Sequence, residues 1–442
     1  MRDARRYIAS PMRGSPIRHV ALGLVMLACA VSPVVTPVPS VRIRALAARV
    51  ESARELRFLA PVRAEEVETA GVPVLLAAEL DRLTPPEQLE RDAALAAAVG
   101  LLPEDTDLRA LVLGWEAQSV AGFYTPTAGR LYGVQGAAAA GSGEQIAVVV
   151  HELGHALQDQ HTPLIEVTIG LRANDDLLFA IGAFLEGDAL FTELRDEAQT
   201  YGFPQPSAVE FAARFEGDAP EGEGVPRLLR ESFLRQYPLG YALAHELVER
   251  GGVAALTAAL SDPPLTSEEL IHPERYLERA KRRPLALFPE ATDGLAPEPG
   301  CAPVATTSYG ELGLAVWLAE GGLDDATARR VADGWDADRV WLLDCPRGAV
   351  VAWLIQLDGE ADARELEVVA PRAGWPARAG LAAPARVERR GPRVLLSAGL
   401  EPAGQGLLLG ALEPVRYAGL AALLRERPEI LARAEAIRRA AE

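Results

Sequence analysis

Lysine is almost absent from this 442-residue chain: Lys281 is the single one, so Arg carries nearly all the positive charge, a bias without functional content. Methionine stops at Met26, which excludes any later site built over a methionine. Of three cysteines, only Cys301 and Cys345 lie beyond the N-terminal segment. No internal stretch reaches the roughly 18 charge-free apolar residues that a bilayer span requires. Positive charge is in deficit too. The formal net charge is −18, and residues 1–30 hold five Arg against one Asp, so the remainder is near −22. A body that acidic does not track phosphate backbones, which argues against a nucleic-acid partner, and anionic membrane surfaces would repel it. Histidine is rare as well: past residue 30 it occurs at 151, 155, 161, 245 and 272.

What is present begins with a targeting segment. Arg2, Arg5, Arg6, Arg13 and Arg18 form a basic region, Val20 to Val31 a short apolar one, and Ala28-Cys29-Ala30 a small-x-small cleavage site. Residues 1–30 are expected to be a signal peptide that exports the chain to the periplasm, the cell surface or the medium. Met26-Leu27-Ala28-Cys29 is similar to a lipoprotein box with Met26 where Leu is usual, so membrane anchoring through a lipid or an uncleaved signal stands beside simple cleavage. Outside the cytoplasm, Cys301 and Cys345 are expected to pair.

The length implies two or three domains. Pro-spaced Ser32 to Ser40 reads as a mobile tether, taken to cover 31–49. Residues 50–285 read as a first α+β domain. A strand is expected around Arg57–Val62, then helices near Val74–Leu83, Gln88–Val99 and Leu108–Val120. Gly122-Phe123-Tyr124 and Arg130 to Val134 flank the turn residues Thr125 to Gly129, a hairpin signal. A Gly/Ala-rich loop, Gly136 to Gly143, follows. A long helix is expected over 174–199, opened by Asn174-Asp175-Asp176. After it come a polar connection at 201–226 and a helix at 228–260 that breaks near Gly251-Gly252. From about 286 Pro and Gly increase, marking a C-terminal α+β domain, 286–442. It has a helix at 310–321, strands at Arg339–Leu343, Val350–Leu357 and Arg393–Ser397, and a charged closing helix.

His151-Glu152-Leu153-Gly154-His155 carries the chemistry. Positions i and i+4 lie on one face of a helix, so two imidazoles reach one zinc ion with the intervening carboxylate beside its water. Composition alone would produce this pattern in roughly 1 in 150 chains of this length. Apolar Ile146 to Val150 leads in, and Ala156-Leu157-Gln158 continues without a break.

Two histidines need a third ligand. His161 stands where a metzincin places its third histidine, but Gln158 occupies the position of the turning Gly and no methionine follows Met26. Glu186 fits better. It lies 31 residues after His155 and well inside the second long helix, a gap that lets the chain turn and return antiparallel. Gly187 and Ala189 permit close helix approach. Asp188 points elsewhere, and Glu193, at i+7, could support the same face.

The run from His151 to Gln160, followed by Glu186-Gly187-Asp188-Ala189, resembles the gluzincin-type zincins. More narrowly it resembles secreted or lipoprotein zincin-like proteins of bacteria and archaea. The likeness extends through Gly122-Phe123-Tyr124, Gly129 to Tyr132, Tyr237 to Gly240, Pro263 to Pro273 and Gly334 to Arg339, and so over most of 50–370. It implies a zincin-like domain with an active-site helix, a second ligand-bearing helix and a small sheet. In such a domain an edge strand, here Arg130 to Val134, pairs with an extended substrate.

The expected chemistry is amide-bond hydrolysis. His151, His155 and Glu186 would hold Zn2+, and Glu152 would act as general base. His272 is the first candidate for an oxyanion donor, ahead of Tyr237 and Tyr241. Asp159, i+4 from His155, could orient a ligand imidazole. His245-Glu246-Leu247-Val248-Glu249 has Glu249 where a second histidine would be and reads as an ordinary helix face. The expected substrate is a peptide or protein, cell-envelope material included. The competing expectation is a zincin-fold surface protein with a binding or structural role and no peptidase activity.

Overall fold

A computed structural model describes residues 35–38, 40–116, 122–134, 143–218, 224–279, 285–373 and 385–441. The signal segment with Cys29, and most of the Gly136–Gly143 loop, lie outside these residues. The described chain is α+β, with 17 helices and three sheets. None of its helices is long and apolar enough to cross a membrane.

The first elements are β1 (Val35–Pro37), α1 (Ser40–Arg54), β2 (Arg63–Val67), α2 (Val72–Leu83), α3 (Pro86–Val99), α4 (Leu108–Glu116), β3 (Gly122–Thr125) and β4 (Arg130–Val134). Most of the expected tether is therefore a strand and a helix. Ile43, Leu46 and Val50 recur at helical spacing just past the prolines, and that stripe buries against Val149, Val150 and Leu153. The strand expected around Arg57–Val62 begins only at Arg63.

The hairpin forms as expected, with β3 antiparallel to β4. The edge does not. In the order β1-β2-β4-β3, Arg130–Val134 is an inner strand, because β2 adds to it in parallel. The sheet edge beside the metal-motif helix is β3, Gly122–Thr125, among the described residues.

A helical layer follows: α5 (Gly143–His161), α6 (Leu164–Gly170), α7 (Asp175–Tyr201), α8 (Ala208–Asp218), α9 (Arg227–Ala259), α10 (Ser267–Ile271) and α11 (Pro273–Leu277). Helix α8 occupies the expected connection. Asn174 caps α7, its side chain accepting from the Leu177 N–H at 2.9 Å. Small residues set the helix spacing. A Cβ on Gly187 would lie 2.0 Å from the Gly240 carbonyl carbon, and one on Gly154 would lie 3.3 Å from Ala189 Cα. Helix α7 is thus pressed between α5 and α9. The break in α9 comes at Gly252, φ 68°.

The last third contains β5 (Leu285–Leu287), β6 (Ala302–Thr307), α12 (Gly310–Glu320), α13 (Asp325–Ala332), β7 (Trp335–Asp344), β8 (Val350–Leu357), α14 (Glu360–Val369), β9 (Arg386–Arg390), β10 (Arg393–Ala398), α15 (Pro402–Gly410), β11 (Val415–Tyr417), α16 (Leu420–Glu426) and α17 (Glu429–Ala441). Strands β6-β7-β8-β10-β9 form an antiparallel sheet, and β11 pairs with β5. The apolar runs in β7, β8 and β10 are continuous because both faces are buried. Trp353 and Ile355 face one core, and Ala352 and Leu354 the other. Cys301 and Cys345 lie at disulfide distance, S–S 2.09 Å, at the end of the β6–β7 pair.

Packing crosses the expected 285/286 boundary. Leu95, Val99 and Leu101 share a core with Trp317, Trp353 and Val394, and the Trp317 indole N–H donates to the Val99 carbonyl at 2.8 Å. At the far end, α17 returns to α6, where Arg433 donates to the Gly170 carbonyl at 2.7 Å.

Candidate metal centre

His151 and His155 sit one turn apart on α5, with ring centroids 4.9 Å apart. Glu186, from α7, lies opposite both. Its Oε2 is 3.1 Å from His151 Nε2 and its Oε1 is 3.5 Å from His155 Nε2. One ligand atom from each of the three falls within 4.8 Å of the others. Ligands at tetrahedral angles around zinc stand about 3.3–3.6 Å apart, so the donor set fits such an ion. Helix α7 approaches closely enough because Gly154 meets Ala189 with no side chain between.

The partners of the other ring nitrogens fix which nitrogen faces inward. His151 Nδ1 is 3.1 Å from Glu193 Oε2, and since a carboxylate only accepts, Nδ1 carries the proton. His155 Nδ1 is 2.9 Å from Gln158 Oε1. The Gln158 amide orientation is set independently, because its NH2 donates to the Leu185 carbonyl at 2.9 Å and to Asp188 Oδ2 at 2.8 Å. His155 Nδ1 is therefore also a donor. Both Nε2 atoms are left for the centre, the arrangement found around metal-ligating imidazoles.

That support runs deeper into the core. Asp188 accepts from Arg54 Nε at 2.7 Å, and Arg54 Nη1 donates to Thr257 Oγ1 at 2.7 Å. Glu193 matches its expected supporting place. Gln158, Asp188 and Arg54 were not foreseen. Gln158 was visible as i+3 from His155, but no pattern links Arg54 to a motif about a hundred residues away.

Glu152 points to the sheet. Its Oε2 accepts from the Tyr124 backbone N–H of β3 at 2.7 Å. Asp159, the expected orienting carboxylate, instead accepts from the Tyr124 hydroxyl and from Arg438 Nη2 of α17, the latter at 2.6 Å. It braces the strand that holds Glu152 and leaves His155 to Gln158.

Charge balances within the cluster. Burial alone would lower His151, yet its hydrogen bonds to Glu186 and Glu193 hold it well above its ordinary value. His155 is likewise raised, with Glu186 outweighing burial. Burial would raise Glu186, but the two imidazoles outweigh it and hold it well below the carboxylate range. Glu152 is pushed up by loss of water, against the pull of His155 and His151.

Other expected residues lie elsewhere. His161 Nε2 approaches the Arg57 carbonyl at 2.6 Å and is not part of the cluster. His272 is not brought to Glu152; its Nε2 faces Glu311 and Asp333, because the residue closes α10 just before Pro273 opens α11. The Tyr241 hydroxyl donates to the Pro206 carbonyl at 2.6 Å within the core. Tyr237 lies on α9 with its ring 5.7 Å from Phe215. His245 Nδ1 is 3.8 Å from Glu249 Oε2, one turn along the same helix face. Comparison of the chain with protein-family models, with curated proteins and with solved structures finds no match to any of them.

Proposed function

We propose that this protein is an exported zinc-dependent peptidase that hydrolyses amide bonds in peptides or proteins, cell-envelope material among them. The observation that carries this reading is Glu152. Its carboxylate is anchored to the Tyr124 N–H beside two imidazoles and Glu186. A site that only held an ion would have no use for that fourth group.

Zinc held by His151, His155 and Glu186 would supply Lewis acidity, bringing the pKa of a water there to about 7. Glu152 accepts the proton of the attacking water and delivers it to the leaving amine. Its raised pKa suits both steps, since the carboxylate must hold a proton between them. Glu193 and Gln158 keep the imidazoles in the ligating tautomer. The edge of β3 lies beside Glu152, so an extended peptide adding to that edge would run past the base.

The test is metal analysis of purified protein together with cleavage of a broad peptide library by wild type and Glu152→Gln. Zinc retained in the variant with cleavage reduced about 10²–10⁴-fold is expected. Zinc without any Glu152-dependent cleavage would overturn the peptidase reading and favour a surface protein with a binding or structural role. Glu186→Ala is expected to release the ion from this centre. Retention there, with loss in His161→Ala, would reverse the ligand assignment.

A further inference from the structure

We propose that His272, Glu311 and Asp333 form a second divalent-cation site, independent of the first and of any peptidase activity. These residues come from three places: the junction of α10 and α11, the first turn of α12, and the residue that follows α13. One ligand atom from each lies within 4.8 Å of the others. His272 Nε2 is 3.0 Å from Glu311 Oε1 and 3.0 Å from Asp333 Oδ1.

That geometry is awkward without an ion. An Nε2–H carries one proton, yet two carboxylate oxygens press on the same nitrogen at equal distance. A cation between the three satisfies all of them through lone pairs. Glu311 supplies a second observation. It is 3% exposed, and its Oε2 has no hydrogen-bond partner. A buried carboxylate oxygen without a donor is costly unless a charge compensates it.

The surrounding charge also favours a cation. Glu274 Oε1 is 4.0 Å from His272 Nδ1. Arg275, the guanidinium nearest Asp333 among the described residues, is shared among Asp333 at 3.5 Å, Asp358 at 3.8 Å and Glu268. Three carboxylates, Glu311, Asp333 and Glu274, thus face the His272 ring. Imidazole with two carboxylates is a donor set for zinc or manganese and offers too few oxygens for calcium. Asp333 is half exposed, which leaves an entry path. A bound ion would tie the helical layer to the C-terminal sheet.

The experiment counts zinc and manganese, each added separately, in His151→Ala/His155→Ala, where the first site is disabled. One equivalent should remain and disappear when Asp333→Asn is added, and binding should raise the melting temperature only in the parent. A folded double variant that binds neither metal would overturn the proposal. So would an equivalent that survives Asp333→Asn. Should the double variant fail to fold, wild type and Asp333→Asn decide: two equivalents falling to one supports the site, and one in both overturns it. The peptidase reading fails separately, through Glu152→Gln.

Discussion

Glu186 and Asp338 are both inward-facing carboxylates, and they are held in opposite ways. Asp338 accepts four hydrogen bonds: from the Tyr309 and Gly310 N–H groups at 3.0 and 3.1 Å, and from the Trp335 and Trp353 indoles at 3.2 and 2.9 Å. None of those donors can give up its proton near neutral pH, so the carboxylate is saturated. Glu186 faces two imidazole nitrogens whose protons a cation can replace. Burial pushes both carboxylates up. Asp338 stays above its ordinary value, whereas the imidazoles hold Glu186 far below. Burial therefore does not mark a site; exchangeable partners do.

The sharpest way to break this contrast is Asp338→Ala. Four buried donors lose their acceptor, two of them on tryptophans at the heart of the C-terminal core. The expected loss is about 3–5 kcal/mol in denaturant unfolding, with the affinity of the His151/His155/Glu186 centre unchanged. A loss below about 1 kcal/mol would mean that the four bonds add little.

Glu193→Ala and Gln158→Leu probe the other side. Each frees one imidazole from its tautomer, and zinc affinity at the first centre should fall about 10–100-fold while the fold is kept. Unchanged affinity in both would show that the outer hydrogen bonds do not prepare the ligands.

The contrast also has a pH signature. In metal-free protein, His151 and His155 have folded values above 6.5, so their contribution is complete below 6.5 and is lost as pH rises through the folded values. Glu186 has a folded value below 4.5, so its contribution is present above 4.5 and is lost as pH falls through the folded value. Glu152, raised by burial, contributes fully below 4.5 and loses that contribution as pH rises through its folded value. Added zinc should raise the melting temperature more near pH 8 than near pH 5, because protons on the imidazoles compete with it at the lower pH. Equal zinc effects at both would contradict the charge assignment.

The smallest effect is expected at His161. It is half-buried, bonded to the Arg57 carbonyl and outside the metal cluster, so His161→Ala should change stability by less than about 0.5 kcal/mol and leave the metal count unchanged. Loss of an equivalent would return it to the ligand set.

Much of this could be read from the residues. The His151–His155 spacing, Glu186 on a second helix, the hairpin and the break near Gly252 all depend on local pattern, which chain geometry imposes over a few turns. Prolines at 33, 37 and 39 give residues 31–49 the look of a tether, whereas the stripe of Ile43, Leu46 and Val50 that follows packs as a helix. The inner place of Arg130–Val134 is not legible, because nothing local to it says that β2 joins it from about 65 residues earlier. Histidine is rare, which singles out His272, but rarity carries no position.

The sequence by itself determined that His151 and His155 share one face of one helix, because the i, i+4 relation is a property of the α-helix. Tertiary structure alone decided the rest. It brought Glu186 against α5 through Gly154 and Ala189, set Gln158 and Glu193 behind the imidazoles, and hung Glu152 from Tyr124. It also moved His272 into a separate cluster with Glu311 and Asp333. Gln158 apart, those contacts join residues tens of positions apart, where spacing no longer constrains distance and only packing does.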